Sequence, residues 1–264
     1  MKRLILAVMA LTAMVSCTNE KKNLVLYYSQ TGATKAVAEE ISSLTGADIA
    51  SLDVEEAYDG NFSETVARCL EEQKTGFVPT LKPLDVNIGD YEVIFIGYPV
   101  WFGTYAPPVE ALLRNEKFAG KKVVPFCTFG SGGLNTSADN LKAVLPDAQV
   151  VEGYGVRNAR LAAAPEEIRR FLARGGYIAG EVETVPDYSE QQSVTPEQRQ
   201  IFDEACNSYQ FPLGSPVTCG CRETSWGTEY LFNVISATSD GQTSESRIYV
   251  TVADGKAEFT QVER

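Results

Sequence analysis

The stretch Leu24-Val25-Leu26-Tyr27-Tyr28-Ser29-Gln30-Thr31-Gly32-Ala33-Thr34 decides how this chain is read. Its first five residues form an apolar run rich in Val and Tyr, too short for an ordinary helix, which predicts a buried strand. Hydroxyl and glycine chemistry follows at once in Ser29, Thr31, Gly32 and Thr34. Lys35 to Ile41 then carries apolar residues at helical spacing. The order is strand, tight polar loop, helix. Backbone N–H groups of such a loop point into the space ahead of the helix, where the helix dipole adds partial positive charge. A phosphate is held there without any cation. An ordinary βα turn with Ser and Thr as caps uses the same residue types, so the stretch alone leaves both readings open.

Moving outward, the pattern repeats. Asp48 to Leu52 predicts a second strand, and Phe62 to Lys74 a helix with Phe62, Val66, Ala67 and Leu70 on one face. Tyr91 to Gly97 is nearly all apolar in its second half, as a strand buried on both faces of a parallel sheet reads. A crowded segment follows, Tyr98-Pro99-Val100-Trp101-Phe102-Gly103-Thr104-Tyr105-Ala106-Pro107-Pro108, from which a helix restarts. Lys121 to Cys127 is a fourth strand, Thr128-Phe129-Gly130-Ser131-Gly132-Gly133 a glycine-rich loop, and Asn135 to Leu145 a helix. Ala148 to Val151 is a fifth strand, and Pro165 to Ala179 a helix with proline in its first turn. Five β-α repeats predict an α/β domain, a parallel sheet with helices on both faces. The loops 29–34, 98–107 and 128–133 follow the first, third and fourth strands. Ligands of open α/β sheets bind beyond the carboxyl ends of strands, so the three loops converge on one edge.

These residues resemble a flavodoxin over 23–182. Ser29-Gln30-Thr31-Gly32-Ala33-Thr34 is similar to the family's phosphate loop, and Trp101, within Pro99-Val100-Trp101-Phe102-Gly103, stands where the family places an aromatic against a flavin ring. Thr128-Phe129-Gly130-Ser131-Gly132-Gly133 corresponds to the other ring-holding loop. The resemblance implies a doubly wound five-stranded parallel sheet in the order 2-1-3-4-5, FMN as cofactor and single-electron transfer. The chemistry agrees. Backbone N–H groups of 30–34 and the hydroxyls of Ser29, Thr31 and Thr34 suit a phosphate dianion, Trp101 offers a π face, and Gly103 with Gly130, Gly132 and Gly133 permits close backbone approach. Trp101, Phe129 and Tyr98 serve equally as core residues, and Lys35 as a solvated helix lysine. An acidic, desolvated surround disfavours a flavin anion and favours a low potential. The segment Trp101 to Pro107 resembles a subgroup that includes FMN-dependent reductases of quinones or nitro compounds.

The N-terminus reads as a processing segment. Lys2-Arg3 precedes an apolar stretch, Leu4 to Val15, too short to span a bilayer at ~20 residues. It ends Met14-Val15-Ser16-Cys17 and resembles a bacterial lipoprotein signal, which implies lipidation at Cys17, a tether through Lys22 and a place outside the cytoplasm. A plain secretory signal with an incidental Cys is the alternative. The net charge of −12 becomes −14 once residues 1–16, with Lys2 and Arg3, are removed. That balance argues against nucleic acid as a partner. Histidine is absent, which removes His-based triads, metal ligands and proton shuttles. In an oxidising compartment a disulfide is allowed, and Cys206 is expected to pair with Cys219 or Cys221.

Composition shifts at 183–195, a Ser-, Gln- and Pro-rich linker. From 196 to 264 one helix opened by Thr195-Pro196 precedes four strand-like stretches, 215–222, 228–238, 246–253 and 257–262. Asp240-Gly241 and Asp254-Gly255 are hairpin signals. The pattern predicts a small α+β unit, helix plus antiparallel meander. Cys219 to Tyr230 resembles a cystatin-like domain, with Glu223 and Ser225 replacing the inhibitory residues, so the fold is implied and protease inhibition is not. Trp226 at the hairpin tip serves either as an interaction anchor or in packing against the first domain. The leading expectation is an exported, membrane-tethered FMN protein that passes electrons to a redox partner protein or a small acceptor. An FMN-dependent reductase and a peptide-binding lipoprotein with a vestigial flavin site are the alternatives.

Overall fold

The computed structural model describes residues 22–237 and 241–264; the apolar leader, Cys17 and Asp240 lie outside them. The first domain runs Lys22–Tyr27 (β1), Ala33–Thr45 (α1), Asp48–Ser51 (β2), Phe62–Thr75 (α2), Tyr91–Trp101 (β3), Thr104–Tyr105 (β4), Pro107–Asn115 (α3), Lys122–Phe129 (β5), Leu134–Val144 (α4), Gln149–Val150 (β6), Tyr154–Arg157 (β7) and Ala164–Arg174 (α5). The sheet has the order β2-β1-β3-β5-β6, and β7 also pairs with β5. All these pairings are parallel; β4 alone runs antiparallel, as a hairpin on the end of β3.

The near-continuous apolar runs are explained by burial on both faces. Leu24, Leu26, Ile94, Ile96 and Val123 pack in one core layer with Leu112 of α3 and Leu141 of α4. Val25, Phe95, Val124 and Phe126, their neighbours along the same strands, pack in the other with Val37 and Ile41 of α1 and Ile168 and Leu172 of α5. Each such side chain contributes roughly 1.5–3 kcal/mol when fully buried. The alternation fixes the register Leu24 against Ile94 and Val25 against Phe95.

Two local expectations are corrected. The fifth strand is present within the expected 148–151, as Gln149–Val150, but that stretch is only part of the strand position. It breaks at Gly153, where a Cβ would meet the Pro125 carbonyl oxygen at 2.4 Å, and most of the strand position is filled by β7. The α2 face of Phe62 and Leu70 is not the buried one; both are exposed, and Thr65, Cys69 and Glu72 face inward. A capping box between Asn61 and Glu64 sets the helix start. The inward carboxylate of Glu72 is satisfied by the Tyr58 hydroxyl at 2.8 Å and Arg68 Nε at 2.7 Å, which polarity patterning does not anticipate.

The second domain is separate in sheet and core. It comprises Gln192–Ser193 (β8), Pro196–Cys206 (α6), Ser215–Thr224 (β9), Gly227–Ala237 (β10), Thr243–Ala253 (β11) and Lys256–Glu263 (β12). The antiparallel order is β12-β11-β10-β9-β8. Thr195 and Gln198 form the capping box of α6, with Pro196 in its first turn. The helix lays Phe202 and Ala205 onto Phe232, Val234, Ile248 and Val250. Asp254 and Gly255 both take positive φ, 50° and 73°, as a two-residue hairpin turn requires. Residues 183–195, expected as a linker, lie along this sheet: Ser189 exchanges hydrogen bonds with Cys221, and β8 pairs with β9. The expected disulfide is absent among the described residues, where Cys69, Cys127, Cys206, Cys219 and Cys221 are all free. Helix and sheet are joined by apolar contact instead, with the Phe202 and Phe232 rings 5.2 Å apart. No described helix is long and apolar enough to cross a membrane.

Candidate functional site

The site is built where β1, β3 and β5 end. Gly32 begins α1 at φ 91°, with no side chain capping the helix, so the first backbone N–H groups of a 13-residue helix stay available. A Cβ on Gly32 would meet nothing within 4 Å. Ser29 Oγ accepts from Gly32 N at 3.1 Å and sets the turn; Thr31 and Gly32 are exposed beside it. Thr34 is turned inward instead, and its hydroxyl bonds that of Thr128 at 2.9 Å, both side chains being buried. This bond ties the first loop to the third. Gln30 donates to the Tyr58 carbonyl and to Thr65 Oγ1, which bolts the loop to the α2 region. Ala33 opens α1, and Lys35 pairs with Glu39 on the solvent side.

The second loop is a tight hairpin. Trp101 pairs with Thr104 across Phe102 and Gly103, both at positive φ, 51° and 77°. Phenylalanine rarely adopts that conformation, and here its ring is half exposed at the tip. Trp101 is partly buried, edge-on against Tyr28 at 5.8 Å and Tyr58 at 5.3 Å, with Arg68 3.8 Å over the Tyr58 ring. Burial raises the pKa of both tyrosines, and for Tyr58 the Glu72 hydrogen bond adds to that. Tyr98 is wholly buried against Ser137 and belongs to the core.

In the third loop, Thr128 and Phe129 are buried, Gly130 is exposed, and Gly133 begins α4 at φ 118°, again without a side-chain cap. A Cβ at Gly133 would lie 2.7 Å from Val100, so the second and third loops touch only because this residue is glycine. A cavity of about 500 Å³ is lined by Val100, Gly103 and the stretch 129–133 on one side and by Arg247, Val262 and Glu263 on the other. That volume lies in the range of roughly 300–1,000 Å³ usual for small-molecule sites. The phosphate-type loop lies outside this lining; Trp101 and Phe102 line a neighbouring, more apolar groove of about 410 Å³ with Phe77, Tyr105 and Val144. The anticipated residues thus form one edge with three compartments.

The second domain supplies what sequence patterning misses. Val262 N donates to the Ser131 carbonyl at 3.0 Å, and the Val262 carbonyl sits where a Cβ on Gly132 would be. Tyr209 bonds Ser131, and Asn135 bonds Glu263. Arg157 spans the Gly130 and Phe259 carbonyls. No local motif signals contacts across a hundred residues. Trp226 is packed on the first domain, with Arg170 4.4 Å over its ring.

Comparison with known families places residues 22–171, more than half of the chain, in the family described as Flavodoxin. The chain is a member of the flavodoxin family. Among solved structures, this flavodoxin-family chain is similar to a Bacteroides eggerthii protein assigned as a flavoprotein, at 30% identity and a TM-score of 0.52, over 61% of this chain and 99% of that one. A Bacteroides uniformis counterpart shares the fold at 23% identity and a TM-score of 0.51, over 56% and 98%. A Lactobacillus acidophilus flavoprotein solved in complex with FMN matches at 27% identity and a TM-score of 0.45, over 55% and 99%. No curated relative matches the chain.

Proposed function

We propose that this protein holds FMN at the three-loop edge and transfers electrons outside the cytoplasm. The observation that carries the reading is the start of α1: an uncapped helix N-terminus at Gly32, open to solvent, at the carboxyl end of β1 in a flavodoxin-family domain. Such a terminus is a seat for a phosphate group. The residues fit the cofactor there. The N–H groups of Thr31, Ala33 and Thr34 and the hydroxyls of Ser29 and Thr31 hold the phosphate, while the Gly32 N–H stays on Ser29 Oγ and sets the turn. Thr34 orders the loop through Thr128. Val100, Gly103 and the 129–133 loop face the cavity that takes the ring, and Phe102 is the exposed aromatic of the second loop. Bound FMN supplies reversible one- and two-electron chemistry.

The leader and Cys17 support export and a lipid anchor, and the acidic balance argues against nucleic acid. The partner is a redox protein or a small acceptor. The helix-plus-meander second domain is read as cystatin-like in fold. A second function is favoured by one feature, the apolar groove beside Trp101 and Phe102, which suits a flat quinone or nitroaromatic ring. The test is reconstitution of the mature protein. A yellow protein with one FMN per chain, inert toward NAD(P)H and quinone until a reductase is added, supports the carrier. Turnover without added reductase selects the FMN-dependent reductase, and failure to retain FMN refutes both.

A further inference from the structure

Arg157 closes β7 and crosses from the flavodoxin domain to the second. Its Nε donates to the Gly130 carbonyl at 2.9 Å and its Nη1 to the Phe259 carbonyl at 3.1 Å. The guanidinium stands 4.2 Å over the Phe259 ring and 5.3 Å from that of Tyr209. Among the described residues no carboxylate forms an ion pair with it, and the ionisable groups that face it are Tyr209, Arg160 and Cys206. Neighbouring Arg160, by contrast, pairs with both Glu167 and Glu258. A half-buried cation without a counter-ion is uncommon, and more so in a chain with 35 acidic and 23 basic residues. Arginine stays protonated under such burial. Gly130, whose carbonyl it grips, lines the 500 Å³ cavity, and space is open at its Cα.

We propose that Arg157 is a positioning residue for bound FMN: it fixes the Gly130 end of the ring-holding loop against the second domain and places an unpaired positive charge behind that loop, raising the flavin's reduction potential. The inference rests on the FMN reading above. Reduction at pH 8 brings two electrons and one proton into the ring, which leaves the cofactor one unit more negative. A fixed cation nearby, in a partly dry setting, favours that product. It opposes the depression that the acidic surround exerts. Arginine suits the position because its planar fork spans two carbonyls while its face stacks on an aromatic ring.

The test is a redox titration of the full chain at pH 8, with dithionite as the electron source, beside a fluorescence measurement of the Kd for oxidised FMN. Arg157→Gln is expected to weaken binding of reduced relative to oxidised FMN by about tenfold, which lowers the two-electron midpoint by about 30 mV. Arg157→Lys, which keeps the charge and loses the fork, is expected to recover at least half of that shift. Equal loss of oxidised-FMN affinity in both variants with an unmoved midpoint marks a purely structural strut and overturns the proposal. If the Gln variant does not fold, the Lys variant decides: a midpoint nearer the wild type than half the expected shift supports the charge, and a larger fall contradicts it. A wild-type chain that takes up no FMN refutes the underlying reading instead.

Discussion

Thr34 ties the first loop to the third from inside the fold. Read in sequence it is a hydroxyl for the phosphate; in the fold it turns inward and bonds Thr128 across two loops. Thr34→Val leaves the Thr128 hydroxyl buried without its partner. The expected cost is about 1–3 kcal/mol, visible as a lower urea midpoint, with weaker FMN retention because the loops are no longer tied. An unchanged midpoint contradicts that role. Phe102 carries the opposite trade. Its φ of 51° is strained for a bulky residue, and strain of this kind gathers at functional sites. Phe102→Gly is expected to stabilise the FMN-free protein by about 1 kcal/mol in thermal unfolding while weakening FMN binding. A variant that loses nothing in FMN affinity removes Phe102 from the site. The glycine positions were legible as permissions for close approach. What approaches Gly132 is the Val262 carbonyl of the second domain, a fact no local pattern carries.

The β-α elements were readable because strands buried on both faces leave continuous apolar runs, as Ile94 to Ile96 do. The misreadings have physical causes. Gly153 pressed on the Pro125 carbonyl splits the last strand. In α2, the buried Glu72 held by Tyr58 and Arg68 inverts the face that hydrophobicity alone selects. The same network supports the second loop, because Tyr58 lies edge-on to Trp101. Trp101→Ala removes contacts to both Tyr28 and Tyr58 and is expected to cost about 3 kcal/mol. Chemical denaturation without FMN measures that packing loss, and a flavin titration measures any separate effect on the ring. A loss of flavin affinity with unchanged stability places Trp101 on the ring and out of the core.

At the scale of the whole molecule, the second domain is docked onto the glycine-rich loop of residues 129–133 rather than tethered beside it. The helix-plus-meander pattern was legible from alternation and the Asp-Gly turns; the docking was not, because it is made by Val262, Glu263 and Arg157 at positions with no motif around them. Part of the contact is acid-sensitive. The Glu258 carboxyl is held below its ordinary value, first by the hydrogen bond from Lys256; burial opposes that, and Arg160, across the domain boundary, adds to the lowering. A carboxyl depressed in the folded state contributes stability above its unfolded pKa, and the contribution is lost as pH falls through the folded value. Glu258→Gln is therefore expected to be less stable than wild type at pH 7, with the gap closing below about 4.5. A gap that persists in acid contradicts the ion pair. The uncapped α1 terminus at Gly32 is the proposed seat of the FMN phosphate. It is tested most directly by titrating the full chain with FMN and with riboflavin, which lacks the phosphate, and following flavin fluorescence. Saturation at one FMN per chain is expected, with riboflavin binding at least about a hundredfold weaker, equivalent to roughly 2.8 kcal/mol. Equal affinity for the two flavins, or no binding of either, contradicts it.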